Sequence, residues 1–234
     1  MRIARLAWIA FVGVLIAGLV QWLLARHSLA DEDLPWTRLD LSAPVGMSTG
    51  RKLALLAGDA PLCRALLREA DVRFGVLPDR PQGPGCGWTG AVRLASPARP
   101  RVVLTCQLAA AFEVWMRQMV QPAAVELLGS RVTRVDDLGS FACRHIRGGT
   151  DAGWSEHASA NAIDVAGFRL ADGRRIMVAH DWARGPRGAF LHAVRDGGCR
   201  IFATILSPDY NVAHRDHLHL DEASRGELGW RACR

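Results

Sequence analysis

The sequence predicts an α+β domain: a small antiparallel sheet flanked by helices, set behind an N-terminal transmembrane helix. Three observations carry that expectation. Residues 6–25, LAWIAFVGVLIAGLVQWLLA, contain no charge, and a helix of about 20 apolar residues spans a bilayer core of about 30 Å. Much later, NAIDVAGFRLADGRRIMVAHDW carries two strand-like runs joined at Asp172-Gly173, the turn dipeptide of a β-hairpin. Other stretches space their apolar residues as helices do, so helices and antiparallel strands are mixed along one chain.

Taken in order, Arg2 and Arg5 precede the apolar run. The positive-inside rule then places the N-terminus in the cytoplasm and the remainder on the periplasmic side of an inner membrane. A signal peptide is the alternative, because Ser28 and Ala30 stand where a signal peptidase would cut. The run is longer than the signal core of about 7–15 residues, and Arg26 and His27 intervene. Residues 1–30 are therefore expected as a retained anchor, with secretion to the periplasm the outcome if they are cleaved.

Residues 31–52 mix acids, Pro and Gly without periodicity and read as a spacer, with the folded domain at 53–234. Within it, APLCRALLREADV predicts a helix, DRPQGPGCGWTG a set of turns and RVVLTC a short strand. QLAAAFEVWMRQMVQPAAVELLG predicts a long helix kinked or restarted at Pro122. RVTRVDDLG and GSFACRHI are expected strands, GAFLHAVRDGGCRIF a helix and turn, and HLHLD a closing strand.

The cysteines at 63, 86, 106, 143, 199 and 233 are even in number, and none sits at C-x-x-C spacing. That excludes a zinc finger or a thioredoxin-like pair and favours structural disulfides in an oxidising compartment. Order along the chain suggests Cys63–Cys86, Cys106–Cys143 and Cys199–Cys233. The net charge of +6 comes from arginine, since Lys52 is the only lysine. The arginines are scattered rather than striped, so nucleic acid is not an expected partner. Attraction to an anionic envelope polymer and a merely solvated surface fit equally well.

The chemistry concentrates in two islands. AHRDHLHLDEA holds three of the eight histidines. On a strand, residues i and i+2 share a face, so His217, His219 and Asp221 point one way while Leu218 and Leu220 point into the core. In SEHASANAIDVAGF, Ile163 and Val165 alternate with Ala162, Asp164 and Ala166, which leaves room above Asp164; His157 precedes it by seven residues. Side by side, the two strands bring together His157, Asp164 and one of His217 or His219. Two imidazoles and a carboxylate suit Zn²⁺ with a fourth position for water, the arrangement of catalytic zinc sites. The remaining histidine and Asp216 are then placed to handle protons.

SEHASANAIDV resembles the S-x-H-x-x-G-x-A-x-D motif of the metallopeptidase group that includes D-alanyl-D-alanine carboxypeptidases, murein endopeptidase and the hedgehog domain. HRDHLHLD resembles that group's closing His-x-His element. The nearest pattern is the bacterial extensin-like C-terminal domain family, similar over roughly residues 62–233. The resemblance implies His157, Asp164 and His219 as zinc ligands and Ser155 as a residue orienting a ligand. It implies Arg144 as the cation facing a scissile carbonyl or substrate carboxylate, with Arg147 as fallback. The carboxypeptidases carry a general-base Glu where this chain has Asp216, and murein endopeptidase has two histidines, matched by His214 and His217. These histidines are the expected proton carriers, with Asp216 as their orienting partner or substitute. The motif's glycine is replaced by Ala160-Asn161, where Asn161 is expected to tolerate the left-handed turn. The implied activity is zinc-dependent hydrolysis of amide bonds in peptidoglycan peptides, the alternative a zinc-containing wall-binding module without turnover.

Overall fold

The computed structural model describes residues 2–26, 30–95, 98–146, 153–226 and 230–234, and within the first helix the side chains of residue 8 and residues 10–22. That helix, α1, is Arg2–Arg26. Among the described residues no helix is long and apolar enough to cross a membrane. The expected N-terminal element is present as a helix, Arg2–Arg26.

Residues 31–52, expected as a spacer, fold against the domain. A 3₁₀ turn at Asp31–Asp33 is followed by α2, Thr49–Ala54. Leu39 and Leu41 enter the hydrophobic core. The Lys52 ammonium, buried at 5% exposure, donates to the carbonyl of Asp31 and to Thr37 Oγ1, both at 2.7 Å. A buried ammonium needs such acceptors, so the sole lysine pins this segment in place.

Helix α3, Ala60–Glu69, is capped by Asp59, whose carboxylate accepts from Leu62 N at 3.0 Å. A small sheet follows from β1 (Phe74–Val76), β4 (Ala91–Leu94) and β5 (Leu104–Thr105), with the hairpin β2 (Arg80–Pro81) and β3 (Gly87–Trp88) inserted between. The strand expected from RVVLTC is cut short because Thr105 caps helix α4, Cys106–Trp115, by accepting from Leu108 N at 3.2 Å. Every residue of α4 is buried. A helix apolar on nearly all sides belongs at the centre of a fold, and Trp115, Phe112, Phe168, Phe190 and Phe202 meet there as fully buried side chains. The restart expected at Pro122 takes the form of a π-turn, Met116–Val120, before α5, Gln121–Leu128. Proline lacks the N–H a continuous helix needs, and the wider turn absorbs the mismatch. Gly129 ends α5 in the left-handed region, at φ 67°.

The main sheet contains β6 (Val132–Gly139), β7 (Ala162–Leu170), β8 (Arg175–Met177), β9 (Thr204–Leu206), β10 (Leu218–Asp221) and β11 (Ala232–Cys233). Its order is β11-β9-β10-β7-β6, with β8 also paired to β7. All pairs are antiparallel except β11 with β9. The hairpin expected at Asp172-Gly173 joins β7 to β8. Between β8 and β9 lie α6, Val178–Asp181, and α7, Gly185–Gly198. The fold is α+β with small antiparallel sheets, as expected. GSFACRHI is not a strand beyond Gly139, the last residue of β6: it makes one isolated bridge, His145 to Trp154, and carries the Cys143 disulfide.

The disulfides are Cys63–Cys106, Cys86–Cys143 and Cys199–Cys233. Only the last agrees with chain order. Packing of α3 on α4 brings Cys63 and Cys106 to a Cα separation of 6.0 Å, and the β2–β3 hairpin meets the loop after β6, bringing Cys86 and Cys143 to 5.6 Å. Links across 43 and 57 residues each stabilise by about 4 kcal/mol through lost chain entropy.

Glu113 is the charged residue of α4. Its carboxylate takes Arg99 through Nε at 2.7 Å and Nη2 at 2.8 Å, and Arg117 Nε at 2.6 Å. Burial works against the charge, yet the two guanidinium groups hold the carboxyl below its usual range. A depressed folded pKa gives stability that is present above the unfolded value, near 4.5, and is lost as pH falls through the folded one. Glu113→Gln should cost about 3–5 kcal/mol, because Arg99 is left buried without its anion. The thermal midpoint against pH, measured on both proteins, should also show a flatter acid limb in the variant.

Candidate metal centre

The site is built where β7 lies beside β10. Asp164 and His219 are directly opposed in their register. Leu218 and Leu220 on one strand, and Ile163 and Val165 on the other, turn into the core, so Asp164 and His219 share the opposite face. Ala162 and Ala166 flank the carboxylate with small side chains, as the alternation predicted.

His157 arrives from the 3₁₀ turn Glu156–Ser159, which precedes β7. Ser155 caps that turn, its Oγ accepting from His157 N at 3.3 Å. It therefore orients the backbone of a candidate ligand rather than its ring. The left-handed residue that ends the turn is Ala160, at φ 57°, and not Asn161. An L-residue with a Cβ pays about 1–2 kcal/mol there. Asn161 instead ties the turn to its surroundings: Nδ2 donates to Glu156 Oε2 at 2.7 Å and to the Glu222 carbonyl at 2.9 Å, and Oδ1 accepts from Thr105 Oγ1 at 2.7 Å.

Three donor atoms converge. His157 Nε2 lies 3.2 Å from Asp164 Oδ1 and 3.2 Å from His219 Nδ1, and His219 Nδ1 lies 2.9 Å from Asp164 Oδ1. Metal–ligand bonds of about 2.0–2.1 Å in a tetrahedron imply ligand–ligand edges of about 3.3 Å, so the triangle fits a small tetrahedral cation. The far side of each ring is anchored as well. His157 Nδ1 faces the Ser140 carbonyl at 3.1 Å, and His219 Nε2 faces Asp221 Oδ2 at 3.0 Å. A neutral ring that donates outward to those acceptors presents a lone pair on its inner nitrogen, the arrangement usual for metal-bound histidine. Among the described residues, these three make the one group of His, Cys, Asp and Glu side chains arranged to hold a metal ion.

The electrostatics follow. Burial disfavours the Asp164 charge, but hydrogen bonds from His157 and His219 hold the carboxyl far below its ordinary range. Burial likewise opposes protonation of His219, yet Asp164 and Asp221 together push its pKa up to about 9. Beside the triangle, His217 Nε2 is 3.6 Å from Asp164 Oδ1, while its Nδ1 is held by Asp216 Oδ1 at 2.9 Å. That hydrogen bond lowers the Asp216 pKa, and Asp216 is thereby the orienting partner of His217. The ring of His214 stands 5.2 Å from that of His217 and 6.0 Å from that of His219, with Nδ1 facing Asn211 Oδ1 at 2.8 Å. Burial, then the neighbouring His217 and His219, and more weakly Arg144, depress it to about 4. Arg144 is exposed, and among the described residues no carboxylate pairs with it. Arg147 lies outside the described residues.

The structure thus gathers His157, Asp164 and His219 at the centre, with His214, His217 and Asp216 beside them and Ser155 beneath. Two supporting groups were not assigned from the sequence. Asp221 was legible as the next same-face position after His219, whereas the Ser140 carbonyl has no side-chain signal at all. Behind them Glu222 is fully buried, its carboxyl pushed well up by desolvation, with Gln107 Nε2 donating to Oε2 at 3.1 Å.

A family model described as Extensin-like protein C-terminus matches residues 61–234. No curated protein and no solved structure matches the chain.

The raised pKa of His219 has a consequence for the metal-free chain. A group protonated more readily in the folded state adds stability that is complete below its unfolded pKa, near 6.5, and is lost as pH rises through about 9. Chelator-treated protein should therefore lose thermal stability across that window in calorimetry. His219→Asn should remove most of this dependence.

Proposed function

The chain belongs to the extensin-like C-terminal family, and from that premise we propose that it is a zinc-dependent hydrolase of the cell envelope, acting on amide bonds in the peptides of peptidoglycan. The observation that carries the reading is the triangle of His157 Nε2, Asp164 Oδ1 and His219 Nδ1, with both outer ring nitrogens fixed by acceptors. When bound there, zinc supplies a Lewis acid that lowers the pKa of a coordinated water towards about 7 and polarises a carbonyl.

The chain's own residues divide the remaining work. His217, held by Asp216, accepts a proton on Nε2, the nitrogen facing the centre, and returns it to the leaving amine. His214, depressed to about 4, is neutral at physiological pH and forms the second half of that relay. Arg144, exposed and without a carboxylate partner among the described residues, offers a cation suited to a substrate carboxylate or a developing oxyanion. The disulfide Cys86–Cys143 fixes the loop that carries it.

Location follows the same logic. The disulfides favour an oxidising compartment. The apolar side chains of Trp8, Phe11, Leu15, Leu19 and Trp22 are all exposed on α1, and a lipid surround would cover them. We place the domain in the periplasm, held to the inner membrane by that helix.

The second reading is a zinc-stabilised wall-binding module without turnover. On its side stands Asp216, which occupies the position of the carboxypeptidases' Glu but engages His217 instead.

Zinc stoichiometry and a peptidoglycan digest analysed by mass separate the two. The wild type should hold about one zinc per chain and release cleaved muropeptides, and His219→Ala should lose both. Full zinc occupancy without any release would leave the binding module standing. Arg144→Ala should keep its zinc while kcat/KM falls by about 10²–10³-fold. Asp221→Asn should weaken zinc binding by about 10–100-fold, read by competition with a chromogenic chelator, since it removes the anchor of a ligand rather than the ligand.

A further inference from the structure

Away from the metal centre the main sheet carries a second polar assembly. Arg134 on β6 pairs in register with Arg169 on β7, and Arg169 pairs with Arg175 on β8. Three arginines therefore stand in a row across three adjacent strands, at strand spacings of about 4.8 Å. Like charges directly opposed destabilise a sheet, so the row needs a compensating feature. Asp136 provides it, with its side chain only 9% exposed at the centre of the group. Arg169 Nε donates to Asp136 Oδ1 at 2.9 Å, Arg175 Nε donates to Oδ2 at 2.7 Å, and Arg134 Nε lies 3.7 Å from Oδ1. Gly167 lets the third strand in, since a Cβ there would lie 2.4 Å from the Ile176 carbonyl oxygen.

The geometry of these contacts is informative. Each guanidinium faces the buried carboxylate through Nε, and among the described residues none of its terminal Nη donors has a partner. The side chains are 65%, 47% and 52% exposed for Arg134, Arg169 and Arg175. One anion thus aligns three cations and leaves their outward forks free, with a local charge of +2. Ile163, Val165, Phe168 and Leu170 of β7 all enter the core, so Asp164 and Arg169 both lie on the opposite face. Five residues of strand separate them, about 16 Å.

We propose that the Arg134–Arg169–Arg175 ladder is a docking site for an anionic polymer of phosphate units, which it holds on the sheet face that also carries the metal centre. Tetrahedral phosphate offers oxygens to more than one guanidinium fork at once, and a repeating charge matches a row of cations. Nucleic acid is the poorer fit, because stacking platforms are missing: the only aromatic of β6, β7 and β8 is Phe168, which is fully buried. The proposal stands apart from the hydrolytic reading and needs neither zinc nor turnover.

The test uses the full-length protein in non-ionic detergent, with labelled inorganic polyphosphate as the probe and fluorescence anisotropy as the readout. Arg134→Gln/Arg169→Gln/Arg175→Gln should weaken binding at least tenfold. Arg134→Gln alone, which leaves both short hydrogen bonds of Asp136 intact, should weaken it about threefold. The control Arg51→Gln/Arg93→Gln/Arg101→Gln, with the same change in charge at exposed positions, should change it less than twofold. Asp136→Asn adds a positive charge yet should weaken binding, because the forks lose their template; a thermal melt checks that it folds. Equal losses in the control triple, or tighter binding by a folded Asp136→Asn, would mean general charge attraction and overturn the site. Binding of poly-glutamate or a single-stranded oligonucleotide as tightly as polyphosphate would overturn the assignment of the ligand.

Discussion

The pairing of β7 with β10 is the constraint on which the site depends. Asp164 faces His219 because Ile163, Val165, Leu218 and Leu220 are buried on the other side. Each such side chain stabilises by about 1.5–3 kcal/mol when buried. Side chains alternate with a period of two, so a slip of one residue would bury the carboxylate and the imidazole and expose the leucines. The apolar face therefore holds the polar face in register.

Around that pairing, several charges removed from water are met by a partner of opposite sign or a set of acceptors. Glu113 in the central helix has two arginines, Lys52 has a carbonyl and a hydroxyl, and Asp136 has a row of guanidinium groups. Asp164 and His219 obey the same rule with each other and with Asp221. The difference lies in what remains unsatisfied. The structural pairs are closed, whereas the three donors of the candidate metal centre converge on one point and the arginine ladder keeps outward forks free among the described residues.

The loops are placed by crosslinks more than by sheet. The segment after β6 carries Arg144 but no strand, and the Cys86–Cys143 disulfide with the His145–Trp154 bridge takes over the role of a ladder. The turn before β7 is fixed by Ser155 at its start, a left-handed Ala160 at its end and the hydrogen bonds of Asn161 beneath. The local cost of Ala160 is offset by that network, which is how the turn can do without the glycine of the motif it resembles.

What the sequence alone determined follows from local periodicity. Alternation set the faces of HLHLD and NAIDVAGF, Asp172-Gly173 marked the hairpin, and the spacing of apolar residues marked α3, α4 and α7. Strand parity made Asp164 legible beside one of His217 or His219, and the choice of His219 together with His157 came from the resemblance. Other features depend on contacts between residues far apart in the chain. The disulfide partners, the packing of residues 31–52 on the core, the Ser140 carbonyl behind His157 and the alignment of Arg134, Arg169 and Arg175 are all of this kind. Scattered in sequence, those arginines become a row only when three strands pair in register. Short-range order is written in side-chain pattern, while long-range neighbours are selected by the shared burial that only the folded chain provides.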